Sequence, residues 1–207
     1  MVLYPSHHIE RLGFLFMPVA RQQINGRQAK SRKLTKGYVQ IYTGNGKGKS
    51  TAALGLAFRA MGRGLKTYIG QFMKGCYYGE LEAAKMVSPY ITIEQYGRDT
   101  FVQVKSPPPE EDLRLAQEGL ARAREAMLCG GYSIVILDEI ITAHYCNLVS
   151  LAEIEGIIAS KPEMVELVFT GRYAPPEVIA AANLVSEITE VKHYYRRGIY
   201  AREGIEH

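Results

Sequence analysis

One short stretch of the chain, residues 43–50, combines the residue types that bind phosphate groups. It reads Thr-Gly-Asn-Gly-Lys-Gly-Lys-Ser and lies between a β-rich run and a helical one. Alternating glycines let the backbone turn its N–H groups inward, and the N-terminus of the following helix favours anions. Lys49 can reach outer phosphates as a point charge, and the Ser50 hydroxyl can ligate Mg²⁺ or Mn²⁺. The stretch therefore predicts a P-loop for a nucleoside triphosphate.

The residues predicted to contact the nucleotide are consecutive. They are Gly44, Asn45, Gly46, Lys47, Gly48, Lys49, Ser50 and Thr51. The general P-loop pattern has glycine where this chain has Thr43, whereas the Gly-Lys-Ser end fits. A glycine-rich turn without a ligand is the alternative, and the order of strand, glycines, lysine and hydroxyl favours the P-loop.

An acidic pair, Asp138 and Glu139, follows the aliphatic run 134–137. Four aliphatic residues in succession predict a strand buried on both faces, and ligands of open α/β sheets bind at the carboxyl ends of such strands. Together with the P-loop, the pair predicts a magnesium site in which one carboxylate binds the metal directly or through water.

Arg172 is a third candidate, because Thr170-Gly171-Arg172 also ends a β-rich run. An arginine there can neutralise phosphate charge that develops on a leaving group. A turn arginine in solvent is the alternative interpretation of the same spacing.

The elements that must position these residues alternate between β-rich and helical runs. The predicted strands are Tyr38 to Tyr42, Thr67 to Phe72, Ile91 to Tyr96, Ile134 to Leu137, Val165 to Thr170 and Leu184 to Ile188. The helical run 52–61 follows the P-loop, and a longer helix is predicted from Pro109 to the stop at Gly130. This rhythm predicts an α/β fold: a mostly parallel sheet with helices on both faces, as in RecA-like nucleotide-binding domains.

Composition and charge divide the chain into two parts. Its 207 residues are 47% hydrophobic and 22% charged, which is typical of a globular domain. The first 37 residues carry seven basic side chains and one acidic one, so the rest of the chain is slightly acidic although the whole protein has a net charge of +4. We predict a basic arm over residues 1–36 and a nucleotide-binding domain over residues 37–207.

Cysteine spacing and hydropathy indicate the compartment. The three cysteines stand far apart with no C-x-x-C pair, which argues against a disulfide framework or a zinc site. No run approaches the roughly 18 apolar residues that span a bilayer. The apolar stretch 12–20 is preceded by Glu10 and followed by no A-x-A cleavage site, so a secretory signal is disfavoured. We predict a cytoplasmic protein without membrane association.

Several longer segments resemble one known family. They are GNGKGKSTAALGLAFRAMGRG (44–64), VILDE (135–139), TGR (170–172), APPEVIAAANLVSEI (174–188) and VKHYYRRGIYAREGIE (191–206). Taken in order, they resemble the ATP:corrinoid adenosyltransferases of cobalamin biosynthesis and salvage, over roughly residues 21–207. Threonine at position 43 is normal in that family.

The resemblance implies a transferase. A reduced Co(I) corrinoid attacks the 5′ carbon of ATP, and triphosphate leaves. By the same resemblance, the P-loop with Lys49 holds the triphosphate, Ser50 and Glu139 bind magnesium, and Arg172 contacts phosphate. A metal nucleophile needs no general base, so Glu139 is interpreted as a metal ligand, or as a residue that supports the metal ligands, rather than as a base.

The resemblance also implies features of the corrinoid site. Family members place aromatic residues after the third strand, where Phe101 matches the first and Gln103 stands where some members have tryptophan. A core phenylalanine is the alternative for Phe101. The family further implies a homodimer, in which the arm 21–36 caps the partner's corrinoid, and a flavoprotein reductant.

Two other classes of function fit the motifs alone. One is a P-loop ATPase whose basic arm binds nucleic acid, and the other is a nucleotide or corrinoid carrier without turnover. The slightly acidic body argues against a broad nucleic-acid surface, so the transferase is the preferred hypothesis.

Overall fold

The computed structural model of the protein describes residues 33–99 and 107–206, which build a parallel β-sheet flanked by helices. The strands are β1 (Val39–Thr43), β2 (Thr67–Phe72), β3 (Ile91–Tyr96), β4 (Ile134–Asp138), β5 (Glu166–Thr170) and β6 (Leu184–Glu187). Their order in the sheet is β3-β2-β4-β5-β1-β6, and every adjacent pair is parallel. The predicted α/β fold and all six predicted strands are confirmed, with ends that differ by one residue or none.

Six α-helices and a short 3₁₀ helix connect and follow the strands of the described residues. They are α1 (Lys49–Met61), α2 (Gly79–Met86), α3 (Glu110–Leu128), α4 (Ile140–Tyr145), α5 (Leu151–Ala159), α6 (Pro176–Ala181) and the 3₁₀ helix Tyr194–Arg197. Within the described ranges, no helix is both long and apolar enough to cross a membrane.

The first helix begins earlier than the sequence predicts. The apolar pattern predicts its start near residue 52, but α1 starts at Lys49 because Gly48 is its N-cap and accepts the Ala52 N–H at 2.8 Å. The end of the P-loop is therefore the first turn of α1, whose free N–H groups point away from the helix body.

The third helix starts where the sequence predicts. Pro109 is its N-cap, and three acidic residues occupy the first turn, where carboxylates interact favourably with the helix dipole. The predicted apolar stripe of α3, including Ala116, Leu120 and Met127, is buried. These side chains are packing residues of the core.

Helices cover both faces of the sheet. On one face, alanines of α1 pack against strand side chains such as Ile69 and Ile136. On the other face, α3, α4, α5 and α6 pack against the alternate residues, including Leu137 and Phe169. Because strand side chains alternate between faces, the two cores use different residues of the same strands.

Polar residues are buried where the parallel strands end. Gln71 is in register with Asp138, and Tyr42 with Thr170, so β2, β4, β5 and β1 finish in one layer. Gln71, Asp138 and Thr170 are all buried at that layer. The fold thus brings a group of polar side chains next to the P-loop.

The predicted boundary near residue 36 lies beside the first described residue, Lys33. Residues 1–32, most of the basic arm, lie outside the described residues, and so do residues 100–106. The arm and the division of the chain at residue 37 stay predictions.

Candidate functional site

The P-loop connects β1 to α1 and contains two glycines with positive φ. Gly44 has φ 96° and Gly48 has φ 125°, a region that side chains rarely adopt. Thr43 remains the last residue of β1, where it is paired with Glu187 of β6. The turn thus begins one residue later than the first glycine of the general pattern, which explains why threonine is accommodated at position 43.

The glycines also allow the loop to pack closely against the segment after β6. A Cβ on Gly44 would lie 2.5 Å from the Ile188 carbonyl oxygen, and one on Gly46 would lie 2.8 Å from it. The Gly46 N–H donates to that oxygen at 2.7 Å. Close backbone contact is therefore a second reason for these glycines, and the sequence motif gave no sign of it.

Lys49 lies inside the loop. Its side chain is buried, and Nζ donates to the carbonyl oxygens of Gly44 and Gly46, both at 2.9 Å. Burial lowers the pKa of Lys49; Glu139 and Asp138 oppose this effect, and Arg172 adds to it. Lys49 is thus a desolvated cation close to both carboxylates of the predicted acidic pair.

Asp138 is the most enclosed carboxylate of the site, with 2% of its surface exposed. It accepts hydrogen bonds from Thr170 Oγ1 at 2.6 Å and Lys74 Nζ at 2.8 Å, and a longer one from Gln71 Nε2 at 3.4 Å. Ser50 is a further hydrogen-bond partner. Burial acts to raise the pKa of Asp138, but Lys74, Thr170 and Ser50 together hold it below its ordinary value. The carboxylate is therefore ionised at neutral pH.

Glu139 caps α4 in the left-handed backbone region, with φ 62°. Its N–H donates to Thr170 Oγ1 at 2.8 Å, and its carboxylate accepts from Thr142 Oγ1. A non-glycine residue in this region costs about 1–3 kcal/mol, and such residues cluster at functional sites. The strained turn places the Glu139 side chain in the cleft described below.

Arg172 follows a tight contact between the end of β5 and helix α4. Gly171 has φ 144°, and a Cβ there would lie 2.5 Å from the Thr142 nitrogen. The Arg172 N–H donates to Thr142 Oγ1 at 2.9 Å, so Thr142 supports both Glu139 and Arg172. The Arg172 side chain is exposed, and it lines the same cleft as the P-loop.

A cleft of about 450 Å³ lies over the P-loop. It is lined by predicted residues from Gly46 to Thr51 together with Glu139 and Arg172. Sequence reasoning missed several of its other lining residues, namely Lys74, Tyr78, Glu80, His193 and Glu206. His193 and Glu206 belong to segment 191–206, which contributed to the family resemblance without any residue of it being predicted for the site, whereas Lys74 is in a loop that no recognised motif marked.

The C-terminal segment, residues 189–206, contacts the P-loop through Lys47. Lys47 Nζ donates to Glu206 Oε1 at 2.8 Å, and Glu206 also bonds to Arg202 and Tyr194. The Lys47 ammonium lies 5.9 Å from the centre of the Tyr194 ring. This cluster forms one side of the cleft.

The cleft offers oxygen ligands for a hard cation. Ser50 supplies a hydroxyl and Glu139 a carboxylate, both of which suit Mg²⁺, and Mg²⁺ usually binds one or two protein carboxylates plus substrate phosphates. Among the described residues, no cluster of three or more His, Cys, Asp or Glu side chains is arranged around a metal position. The residues present thus fit a magnesium ion that is shared with a nucleotide.

Phe101, the predicted corrinoid contact, lies outside the described residues, as do Gln103 and the basic residues up to position 32. Their predicted roles therefore stay predictions.

Comparison with known proteins identifies a matching family and several relatives. A family model described as ATP:corrinoid adenosyltransferase BtuR/CobO/CobP matches residues 35–207. A corrinoid adenosyltransferase of Sinorhizobium sp. is 34% identical over 178 residues, which cover 83% of this chain and 80% of that protein. The corrinoid adenosyltransferase of Pseudomonas aeruginosa is 32% identical, with 83% and 84% covered. The one from Escherichia coli K12 is 29% identical, with 90% and 93% covered.

Proposed function

Because the chain belongs to the ATP:corrinoid adenosyltransferase family, we propose that it transfers the 5′-deoxyadenosyl group of ATP to the Co(I) centre of a reduced corrinoid. The cobalt forms a bond to C5′, the bond from C5′ to the α-phosphate oxygen breaks, and its electron pair leaves with triphosphate. Cobalt is thereby oxidised formally from Co(I) to Co(III). This reaction belongs to the biosynthesis or salvage of adenosylcobalamin.

The observation that carries the proposal is the convergence of cations on the P-loop cleft. Lys49 is buried within the loop, and Lys47 and Arg172 line the same cleft. Fixed positive charge stabilises a reaction where negative charge develops, and here that charge develops on the departing triphosphate. The site therefore suits a reaction in which the phosphates are the leaving group.

The two carboxylates of the predicted acidic pair have partners that suit binding better than base catalysis. Glu139 accepts from Thr142, and Asp138 accepts from Thr170 and Lys74. A cobalt nucleophile carries no proton to be removed, so neither carboxylate has to act as a general base. The proposed chemistry and the hydrogen bonding agree on this point.

Magnesium is proposed as the cofactor, with Mn²⁺ as a possible substitute in the same ligand set. Ser50 and Glu139 are the proposed ligands, and Asp138 acts on the metal through Ser50, its hydrogen-bond partner. When bound, the ion neutralises phosphate charge on the leaving group.

On the corrinoid side the proposal extends the family resemblance. Phe101 is proposed to help exclude the lower axial ligand of cobalt, and the arm 21–36 to cap the corrinoid of a second subunit in a homodimer. A flavoprotein is the proposed electron donor, and the cytoplasm the proposed compartment. Nothing in the described residues or the comparisons favours a nucleic-acid-binding ATPase.

The products of ATP test the proposal directly. Purified protein is mixed anaerobically with ATP, Mg²⁺ and chemically reduced cobalamin, and the phosphorus products are identified by ³¹P NMR. We expect triphosphate together with a light-sensitive alkylcobalamin spectrum. ADP and phosphate, formed at the same rate without corrinoid, would show an ordinary ATPase and overturn the proposal.

A further inference from the structure

Lys74 is a cation of the cleft that no sequence motif identified. It follows β2 in the loop 73–78 and lines the same cleft as Lys49 and Arg172. Its side chain is 15% exposed, so it is neither a free surface lysine nor fully enclosed. The position lines the cleft and is largely shielded from bulk solvent.

The backbone around Lys74 is held in an unusual conformation. Met73 has φ 59°, in the left-handed region, and its N–H donates to the Tyr96 carbonyl at 3.0 Å. A Cβ on Gly97 would lie 2.4 Å from the backbone nitrogen of Lys74, and a Cβ on Gly75 would lie 2.3 Å from the Gly97 carbonyl oxygen. Two loops therefore pack backbone to backbone, and this contact sets where the Lys74 side chain begins.

Three neighbours then position the ammonium group. Nζ donates to Asp138 Oδ2 at 2.8 Å, lies 3.7 Å from Glu80 Oε1, and lies 5.1 Å from the centre of the Tyr78 ring. Lysine is protonated at neutral pH, and the Asp138 carboxylate beside the ammonium favours the charged form.

The Lys74 ammonium has N–H donors that could form hydrogen bonds with a ligand. An ammonium group has three N–H donors. Among the described residues Lys74 makes one hydrogen bond, to Asp138, because Glu80 lies beyond hydrogen-bond distance. Asp138 in turn accepts from Thr170 and Gln71 and pairs with Ser50, so it keeps other partners if the ammonium turns toward a ligand.

We propose that Lys74 is a further catalytic residue, whose ammonium contacts the phosphate chain of ATP and neutralises charge on the departing triphosphate. Asp138 is then the residue that positions Lys74, in addition to its contact with Ser50. The claim that Lys74 assists catalysis rests on the proposed function. The claim that Lys74 binds phosphate requires only that a polyphosphate occupies the cleft.

The test compares Lys74→Met, Lys74→Arg and the control Lys85→Met. Methionine keeps most of the aliphatic stem and removes the charge, and arginine keeps the charge. Lys85 is an exposed lysine of the neighbouring helix α2, with 71% of its side chain accessible and an ion pair to Glu82. Binding of inorganic triphosphate is measured by calorimetry, and adenosylation is measured with ATP and corrinoid varied separately.

We expect Lys74→Met to weaken triphosphate binding at least tenfold and to lower kcat/KM for ATP about 100-fold, the usual scale for one lost electrostatic contact. KM for the corrinoid should stay within about twofold, and Lys74→Arg should restore part of both losses. Equal triphosphate affinity in Lys74→Met and Lys85→Met would overturn the proposal. The proposed adenosyl transfer and the proposed Lys74 contact can fail separately. If the ³¹P experiment shows an ordinary ATPase, triphosphate binding still tests whether Lys74 contacts the phosphates.

A second measurement uses the unaltered protein and is independent of how the variants fold. Lysines are modified with an amine-reactive reagent, and the rate at each position is followed by mass spectrometry with and without triphosphate. We expect triphosphate to slow modification of Lys74 severalfold and to leave Lys85 unchanged. Equal rates at Lys74 in both samples would contradict contact with the phosphate chain.

Discussion

Two side-chain networks in the described part of the chain are each centred on a carboxylate: one is buried beside the cleft, and the other is half-buried and lies away from it. Asp138 is surrounded by Thr170, Lys74, Gln71 and Ser50 at the carboxyl ends of the central strands. Glu94 lies on β3, one of the two edge strands, and belongs to a second network, none of whose described residues lines the P-loop cleft.

The side chains of the Glu94 network form hydrogen bonds with one another. Glu94 Oε2 accepts from Tyr68 at 2.9 Å, from Tyr96 at 2.5 Å and from Arg122 at 3.3 Å, and the two tyrosine hydroxyls are 2.8 Å apart. Burial and the hydrogen bond to Glu94 raise the pKa of Tyr96 to about 12, so the hydroxyl stays protonated. Each polar group here is satisfied by another side chain.

The comparison shows that buried polar residues alone do not mark a functional site. In the Asp138 network, Lys74 and Ser50 also face an open cleft, and Lys49 is buried beside them. In the Glu94 network, Arg122 bonds to Glu94 and Glu125 on the outside of α3. Cations that converge on open space distinguish a ligand site from a structural network.

The largest expected effect comes from removing the charge inside the P-loop. Lys49→Ala should lower adenosylation about 100- to 1,000-fold, because a buried cation next to the leaving group is lost. Circular dichroism should show a folded protein, and Lys85→Ala should retain full activity. Normal adenosylation by Lys49→Ala would contradict the assignment of this loop to the triphosphate.

Glu139→Gln should have the next largest effect, and it concerns the metal. The amide keeps the shape of the side chain but removes the charge that attracts Mg²⁺. The Mg²⁺ concentration for half-maximal activity should rise about 100-fold, at the upper end of the loss seen when a metal site is disturbed. Glu82→Gln, at a half-exposed position of α2 that does not line the cleft, is the matched control. Unchanged Mg²⁺ dependence would remove Glu139 from the metal site.

The smallest expected effects concern the stability of the fold at acidic pH, to which Asp138 and Glu94 both contribute. The pKa values of Asp138 and Glu94 both lie below their ordinary values of 3.8 and 4.5, in each case because hydrogen-bonding and charged partners outweigh burial. Each carboxylate therefore stabilises the fold above its ordinary pKa, and this contribution is lost as the pH falls through the lowered folded value.

Urea unfolding as a function of pH measures this difference. The free energy of unfolding of the unaltered protein should fall as the pH drops below about 4.5, and Asp138→Asn and Glu94→Gln should each show a shallower fall. At neutral pH, Asp138→Asn should reduce adenosylation, whereas Glu94→Gln should leave kcat and both KM values within about twofold. A strong activity loss in Glu94→Gln would mean that the two networks are not functionally distinct.

Much of the fold and part of the site could be predicted from the sequence. Alternating β-rich and helical runs located all six strands, and the glycines of the P-loop, the strand end at Asp138 and the turn before Arg172 located three segments of the cleft. Lys74 could not be predicted, because its loop carries no recognised local pattern. Its role depends on a left-handed residue, Met73, and on backbone contact with Gly97, which directly follows the next strand, β3.

The sequence by itself determined the elements and the chemistry of the P-loop, since hydrophobic periodicity, glycine content and the Gly-Lys-Ser end are local properties of the chain. Only the tertiary structure decided which residues share the cleft. The strand order β3-β2-β4-β5-β1-β6 brings Lys74 to Asp138, and the course of the C-terminal segment brings Glu206 to Lys47, 159 residues earlier. Such contacts depend on how packed strands and helices exclude water together, a property of the whole chain that no short segment encodes.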